Sequence, residues 1–176
     1  MKYTKSQNTY FATPKDNPKD RLRVIVGDDK EPDVLLPQAK IQRWDNESNV
    51  SIRLKDFTEY SVMEDKGKVI FGNEKTEVHF YQIEDGEGAN EIEVILKEKP
   101  LSNVIEFTLQ DKDVEYYYQP ALTQKEIDEG VERPENVVGS YAVYAKSNKV
   151  NYVGGKEYKC GKVGHIYRPR IVDSAG

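Results

Sequence analysis

From residue 90 onward, apolar and polar side chains alternate. Ile92, Val94 and Leu96 fall on one side of an extended chain, and Glu91, Glu93 and Lys97 on the other, with Ile95 the exception. Pro100 breaks the run. Ile105, Phe107 and Leu109 then make a second apolar row opposite Glu106, Thr108 and Gln110. Asp111-Lys112-Asp113 reads as a tight turn, and Val114, Tyr116 and Tyr118 supply a third row. Period two over successive segments predicts three consecutive antiparallel strands joined by short turns, each with one buried face and one wet face.

The same period recurs upstream in shorter pieces. Residues 21–26 alternate and stop at Gly27-Asp28-Asp29, and residues 34–36 form a short apolar piece ending at Pro37. Residues 39–44 end on Trp44. Residues 50–54 turn Val50, Ile52 and Leu54 inward, and 68–71 follow a Lys66-Gly67 turn. Residues 77–83 carry bulk on both faces. Near 123–129 the period changes. Thr123 with Glu126 three positions on is a capping box, Leu122 and Ile127 are placed for a hydrophobic staple, and Gly130 ends the turn. This predicts one short helix, lying across a sheet end. Residues 137–144 read as a strand with a bulge at Gly139, 151–156 as a glycine-containing turn, and 162–167 and 170–172 as closing strands. Residues 1–20 are polar, hold Pro14 and Pro18, and read as an arm that needs a neighbour to lie against. The expected fold is all-β: an antiparallel β-sandwich or jelly-roll-like domain spanning 21–176, with a polar N-terminal arm over 1–20 and one short helix.

Composition narrows the partners. The chain has 176 residues, enough for one domain with a real core or two very small ones. A net charge of -5 argues against nucleic acid, which demands a basic footprint. With twelve tyrosines to five phenylalanines, many rings are expected half buried, since Tyr joins an apolar body to a polar tip. The one cysteine, Cys160, permits no internal disulfide and reads as a buried or idle thiol, with a bridge to another chain as the alternative. The N-terminus has no apolar signal region and no run approaches a membrane span, so synthesis in the cytoplasm and no membrane partner are expected.

Candidate chemistry is thin. His79 shares a strand face with Tyr81 and reads as a partly buried structural histidine. Cys160 and His165 suggest a nucleophile and base, but no third residue can be named to orient them. Gly154-Gly155-Lys156 through Gly161-Lys162 fails as a phosphate loop. Its glycine spacing is one residue too long, and Val163 stands where Ser or Thr would hold magnesium. The acidic loops at 84–87 and 111–113 could offer oxygens to calcium but lack a calcium-loop spacing, and no carboxylate pair stands out for glycoside hydrolysis. No catalytic residue, metal ligand or cofactor is assigned. Exposed aromatics are the better lead. Tyr116, Tyr117 and Tyr118 are consecutive, so Tyr117 faces away from its neighbours, and Tyr141 and Tyr144 fall on opposite faces.

Residues 116–173 also carry a resemblance. YYYQPALTQKEIDEGVERPENVVGSYAVY followed by GKVGHIYRPRIVD resembles a module of uncharacterised phage-type and metagenomic bacterial β-rich structural proteins. The similarity weakens back toward residue 90 and carries no active site. Such modules run on past residue 176, so the resemblance implies a fragment or shortened chain in a virion or cell-surface setting. The resulting expectation is a non-enzymatic structural protein, a virion component such as a capsid decoration, fibre or tail-associated protein, in a homo-oligomer or larger assembly. Docking would use Tyr3, Tyr10 and Phe11 of the arm with Tyr117 and Tyr144 of the sheet. Two alternatives stand beside it: a carbohydrate-binding module, calcium-assisted or not, stacking sugars on 116–118, and a hydrolase with an unidentified site.

Overall fold

The structure is a computed structural model that describes residues 3–13, 19, 21–31, 33–83, 89–153 and 156–173. The acidic loop at 84–87, Gly154-Gly155, and Pro14 and Pro18 of the expected arm lie outside the described residues. In chain order the elements are β1 (Thr4–Ser6), β2 (Thr9–Ala12), β3 (Arg23–Val26), β4 (Gln38–Arg43), β5 (Ser48–Leu54), β6 (Ser61–Asp65), β7 (Lys68–Gly72) and β8 (Thr76–Gln82). There follow β9 (Asn90–Leu96), β10 (Phe107–Lys112), β11 (Val114–Gln119), helix α1 (Gln124–Asp128), a 3-10 turn (Glu135–Val137), β12 (Ser140–Ala145), β13 (Asn151–Val153), β14 (Lys156–Tyr158) and β15 (Lys162–Ile166). The protein is all-β and antiparallel, with one short α-helix among the described residues. The sequence drew one domain from residue 21 onward; the chain gathers into two compact units, Met1–Lys112 and Asp113–Gly176.

The first unit is a β-sandwich. One sheet runs β1-β2-β3-β4-β5-β10 and the other β6-β7-β8-β9. Tyr10, Val26, Ala39 and Ile52 stand directly opposite one another across β2 to β5, so they share one face. The second sheet offers Val69 beside Phe80 and Phe71 beside Val78. Tyr10, Val26, Ala39, Leu54, Val69, Phe71, Val78 and Phe80 form one buried cluster, with Ile92 and Val94 packed against it. Tyr60, Phe71 and Phe80 meet edge to face with ring centroids 5.4 and 5.6 Å apart. Burying each such ring contributes about 2–3 kcal/mol, which makes this cluster the main stabilising element of the unit.

The outer face of the second sheet is a chain of charges. His79 is buried; its Nε2 lies 2.9 Å from Glu77 Oε2 and its Nδ1 3.2 Å from Glu93 Oε2, outside hydrogen-bonding geometry at the latter. Lys97 pairs with Glu77 at 2.9 Å and Lys68 with Glu93 at 3.1 Å. The Lys97 hydrogen bond, and then the His79 one, hold the Glu77 carboxyl below its ordinary pKa. Lys68 Nζ sits 4.0 Å from the centre of the Tyr81 ring. The histidine is therefore bracketed by two carboxylates, each of which is held by a lysine.

Several expectations change. Residues 3–13 are not an arm: β1 and β2 form a hairpin at one edge of the six-stranded sheet, and Tyr10 and Ala12 are buried. Polar residues outnumber apolar ones there, and only the four residues of β2 alternate in burial, too short a segment to show a period. Gly27 closes this region. Its φ is +106°, and a Cβ there would stand 2.8 Å from the Asn8 carbonyl oxygen, so only glycine fits. The stretch 90–118 does make three strands, but β9, β10 and β11 belong to three different sheets. The strand β10 runs through Asp111 and Lys112, and the tight turn expected at 111–113 shrinks to one left-handed residue, Asp113, with φ 56°. Residues 34–36 and 170–172 form no strand, whereas β6 and the hairpin β13–β14 went unread.

The second unit holds the three-stranded sheet β11-β12-β15 and the two-stranded hairpin. Its helix has the expected capping box: the Glu126 amide donates to the Thr123 side chain, and the Thr123 amide to Glu126 Oε2 at 2.7 Å. No helix residue is buried, so local hydrogen bonds hold it rather than the packing expected across a sheet end. Gly139 precedes β12 at φ +81°, and the bulge falls later, between Val143 and Tyr144.

Candidate docking surface

The alternation of 114–118 becomes two faces once β11 pairs with β12. Tyr117 stands opposite Ala142, which stands opposite His165; Glu115 stands opposite Tyr144, which pairs with Lys162 past the bulge. One face therefore carries Glu115, Tyr117, Tyr144, Lys162 and His165. Tyr118 stands opposite Tyr141, and Tyr141 opposite Ile166, on the other face.

Each face bears a tyrosine pair. Tyr117 and Tyr144 meet edge to face, with centroids 5.6 Å apart and planes at 87°. Tyr118 and Tyr141 are tilted at 52° with centroids 5.3 Å apart. Tyr117, Tyr118 and Tyr141 keep 49%, 56% and 43% of their surface in solvent. Tyr117 donates to Glu115 Oε2 at 2.7 Å, and this hydrogen bond raises the phenol above its usual pKa and keeps it protonated. On the first face His165 also stacks on Tyr167, with centroids 4.6 Å apart and planes at 27°.

The sheet contains a Ser–His contact of catalytic appearance, and its surroundings give it another role. His165 Nε2 lies 2.5 Å from Ser140 Oγ. Ser140 is buried, and its hydroxyl donates to the Val137 carbonyl oxygen, leaving the oxygen to accept from the ring. Burial, and then the Lys162 charge, lower the His165 pKa and favour the neutral ring. A hydroxyl closed off from solvent and already donating to the backbone is a structural tie. Cys160, by contrast, is exposed.

The five residues proposed for docking separate sharply. Tyr117 is exposed. Tyr144 is half-buried and serves as the wall on which Tyr117 leans. Tyr10 is withdrawn as an interface residue: 3% of it is exposed, it belongs to the sandwich core, and burial, then Glu64, push its phenol up to about 12. Tyr3 packs against the same core, and its hydroxyl donates to Asn90 Oδ1 at 2.9 Å. Phe11 lies under the Arg23 guanidinium, 4.6 Å from the ring centre. The structure adds Tyr118, Tyr141 and Tyr167. The alternation gave the opposite facing of Tyr117 and Tyr118, but only strand pairing shows which rings meet across the sheet.

Elsewhere, an open cleft of about 610 Å³ lies in the first unit beside Leu36, Arg53, Phe57 and Tyr60. Its lining holds no histidine or cysteine. Among the described residues no three His, Cys, Asp or Glu side chains converge as metal ligands, and no helix is long and apolar enough to cross a membrane. Searches against protein-family models, curated proteins and solved structures found no match.

Proposed function

We propose that this chain is a non-enzymatic structural protein whose second unit docks onto a protein partner through the tyrosine-bearing faces of the β11-β12-β15 sheet. The observation that carries this reading is the exposure of Tyr117, Tyr118 and Tyr141 in ring pairs on both faces of one small sheet. Rigid, amphipathic rings with few rotatable bonds anchor protein interfaces at low entropic cost. The finer reading, a virion component, is supported by the resemblance over residues 116–173.

Ring geometry favours a protein over a sugar. A glycan platform presents flat ring faces side by side, whereas Tyr117 and Tyr144 are perpendicular and Tyr118 and Tyr141 are steeply tilted. The test is to isolate the tagged chain from the cells that make it, alongside Tyr117→Ala/Tyr141→Ala. The expected result is a large protein assembly containing the wild type and lacking the variant. Recovery of the wild type as free chain, with binding on a glycan array that the double variant loses, would replace this reading with sugar binding.

A further inference from the structure

The row Ile105, Phe107 and Leu109 has the pattern of a buried strand face, yet all three side chains are exposed, Phe107 at 42% and Leu109 at 45%. The sheet order explains this. β10 is the last strand of the six-stranded sheet, and it contributes no residue to the core cluster between the two sheets. Leu101 and Val104, just before it, are exposed as well.

Among the described residues no strand pairs with the outer edge of β10. The Lys55 amide donates to the Glu106 carbonyl, and Thr108, Gln110 and Lys112 stand opposite Arg53, Ser51 and Asn49. In an antiparallel ladder alternate residues bond to the same neighbour, so 106, 108, 110 and 112 bond to β5. The amides and carbonyls of Phe107 and Leu109 then point outward. Open edges are normally blunted by shortness, charge, proline or a bulge. The opposite edge, β1, is three residues long. The edges of the other sheet carry Glu64 and Asp65 on β6, and Glu91 and Glu93 on β9. β10 has six residues and no proline, and its two charged residues, Asp111 and Lys112, close the strand after the apolar Phe107 and Leu109.

We infer that β10 pairs edge to edge, antiparallel, with β10 of a second copy of this chain. The occupant has to be a strand, because what the edge lacks is a row of backbone partners. The sequence fits itself. With Phe107 opposite its own mate, Ile105 stands opposite the mate's Leu109, all on one face, and Phe107 and Leu109 have outward backbone groups to exchange. Glu106 then faces Thr108 and Asp111 faces Asn103, so no like charges oppose each other. Moving the axis to Leu109 would set Asp111 against Phe107. This edge shares no residue with the tyrosine faces, and the inference does not depend on them.

The test is the solution mass of the whole chain over a wide dilution series, with Leu109→Pro and Leu109→Lys. Leu109→Pro removes an outward amide while leaving the β5 ladder its bonds, and Leu109→Lys places a charge in the apolar row. Twice the chain mass for the wild type, and monomer for both variants with unchanged circular dichroism, is the expected result. A wild type monomeric at every concentration, or a Lys variant that remains dimeric, overturns the inference. If the proline variant fails to fold, the lysine variant decides. In a Cys160→Ser background, Phe107→Cys should oxidise to a disulfide-linked dimer and Thr108→Cys, on the other face, should not; the reverse also overturns it. Tyr117→Ala/Tyr141→Ala should leave the mass unchanged.

Discussion

The two units treat the same period-two pattern in opposite ways. In the first unit a second sheet lies over the apolar rows, so Val69, Phe71, Val78 and Phe80 are almost wholly buried and interlock with Tyr10, Val26, Ala39 and Leu54. In the second unit one three-stranded sheet carries Val114, Ala142, Val143 and Val163 as its buried apolar side chains, and leaves Tyr117, Tyr118 and Tyr141 in solvent. Stability in the first unit comes from apolar area; the second relies more on individual hydrogen bonds, such as the Ser140–His165 contact between β12 and β15 and the capping box. A small core with large exposed rings suits a surface that must meet something else.

The sharpest way to break this contrast is through the cores. Phe71→Ala should destabilise the first unit by about 3–5 kcal/mol, since it removes a fully buried ring at the junction of the two sheets. Val143→Ala in the second unit should lose roughly 2 kcal/mol, from two buried carbon groups and a small cavity. Denaturant unfolding of both variants tests the ordering. Equal losses would mean that the second unit is packed as tightly as the first.

Acid should separate the units next. The folded-state pKa of His165 is lowered by burial and by Lys162, so the neutral ring is the form the fold favours. Its contribution is whole above the unfolded value of about 6.5 and is lost as pH falls through the lower folded value. Glu77 is held down by Lys97 and His79, so its contribution in the first unit is whole above about pH 4.3 and is lost only as pH falls below that. Hydrogen exchange corrected for intrinsic rates should show β12 and β15 losing protection at a higher pH than β7 and β8. His165→Gln should remove the early step; its persistence would assign the step to another group.

The smallest effect should come from the helix. Thr123→Ala removes the hydroxyl that accepts from the Glu126 amide, while the amide of residue 123 keeps Glu126 as its acceptor, and should cost α1 about 1 kcal/mol. Because no helix residue is buried, protection in β11, β12 and β15 should not change, and a global loss of stability would show that the helix packs on the sheet after all.

Local signals in the chain were legible. The cap at Thr123 and Glu126 was read correctly because a capping box involves neighbours three residues apart. The strands β3, β4, β5, β7, β8, β9, β11 and β15 were read within a few residues because alternation is a property of a short segment. The opposite facing of Tyr117 and Tyr118 follows from the same geometry. The hairpin β1–β2 was missed because its buried residues, Tyr10 and Ala12, sit in a polar stretch too short to show a period.

What only the tertiary structure decided is which strands pair and which faces are covered. A period of two says that a strand has two unlike faces, and nothing about what lies over either one. The rows Ile92/Val94 and Ile105/Phe107/Leu109 look alike on paper; the first packs into a sandwich core and the second stands exposed on an edge strand. Strand pairing joins residues far apart in the chain, as between β5 and β10, so the neighbour that buries a face is not written in the segment that carries it.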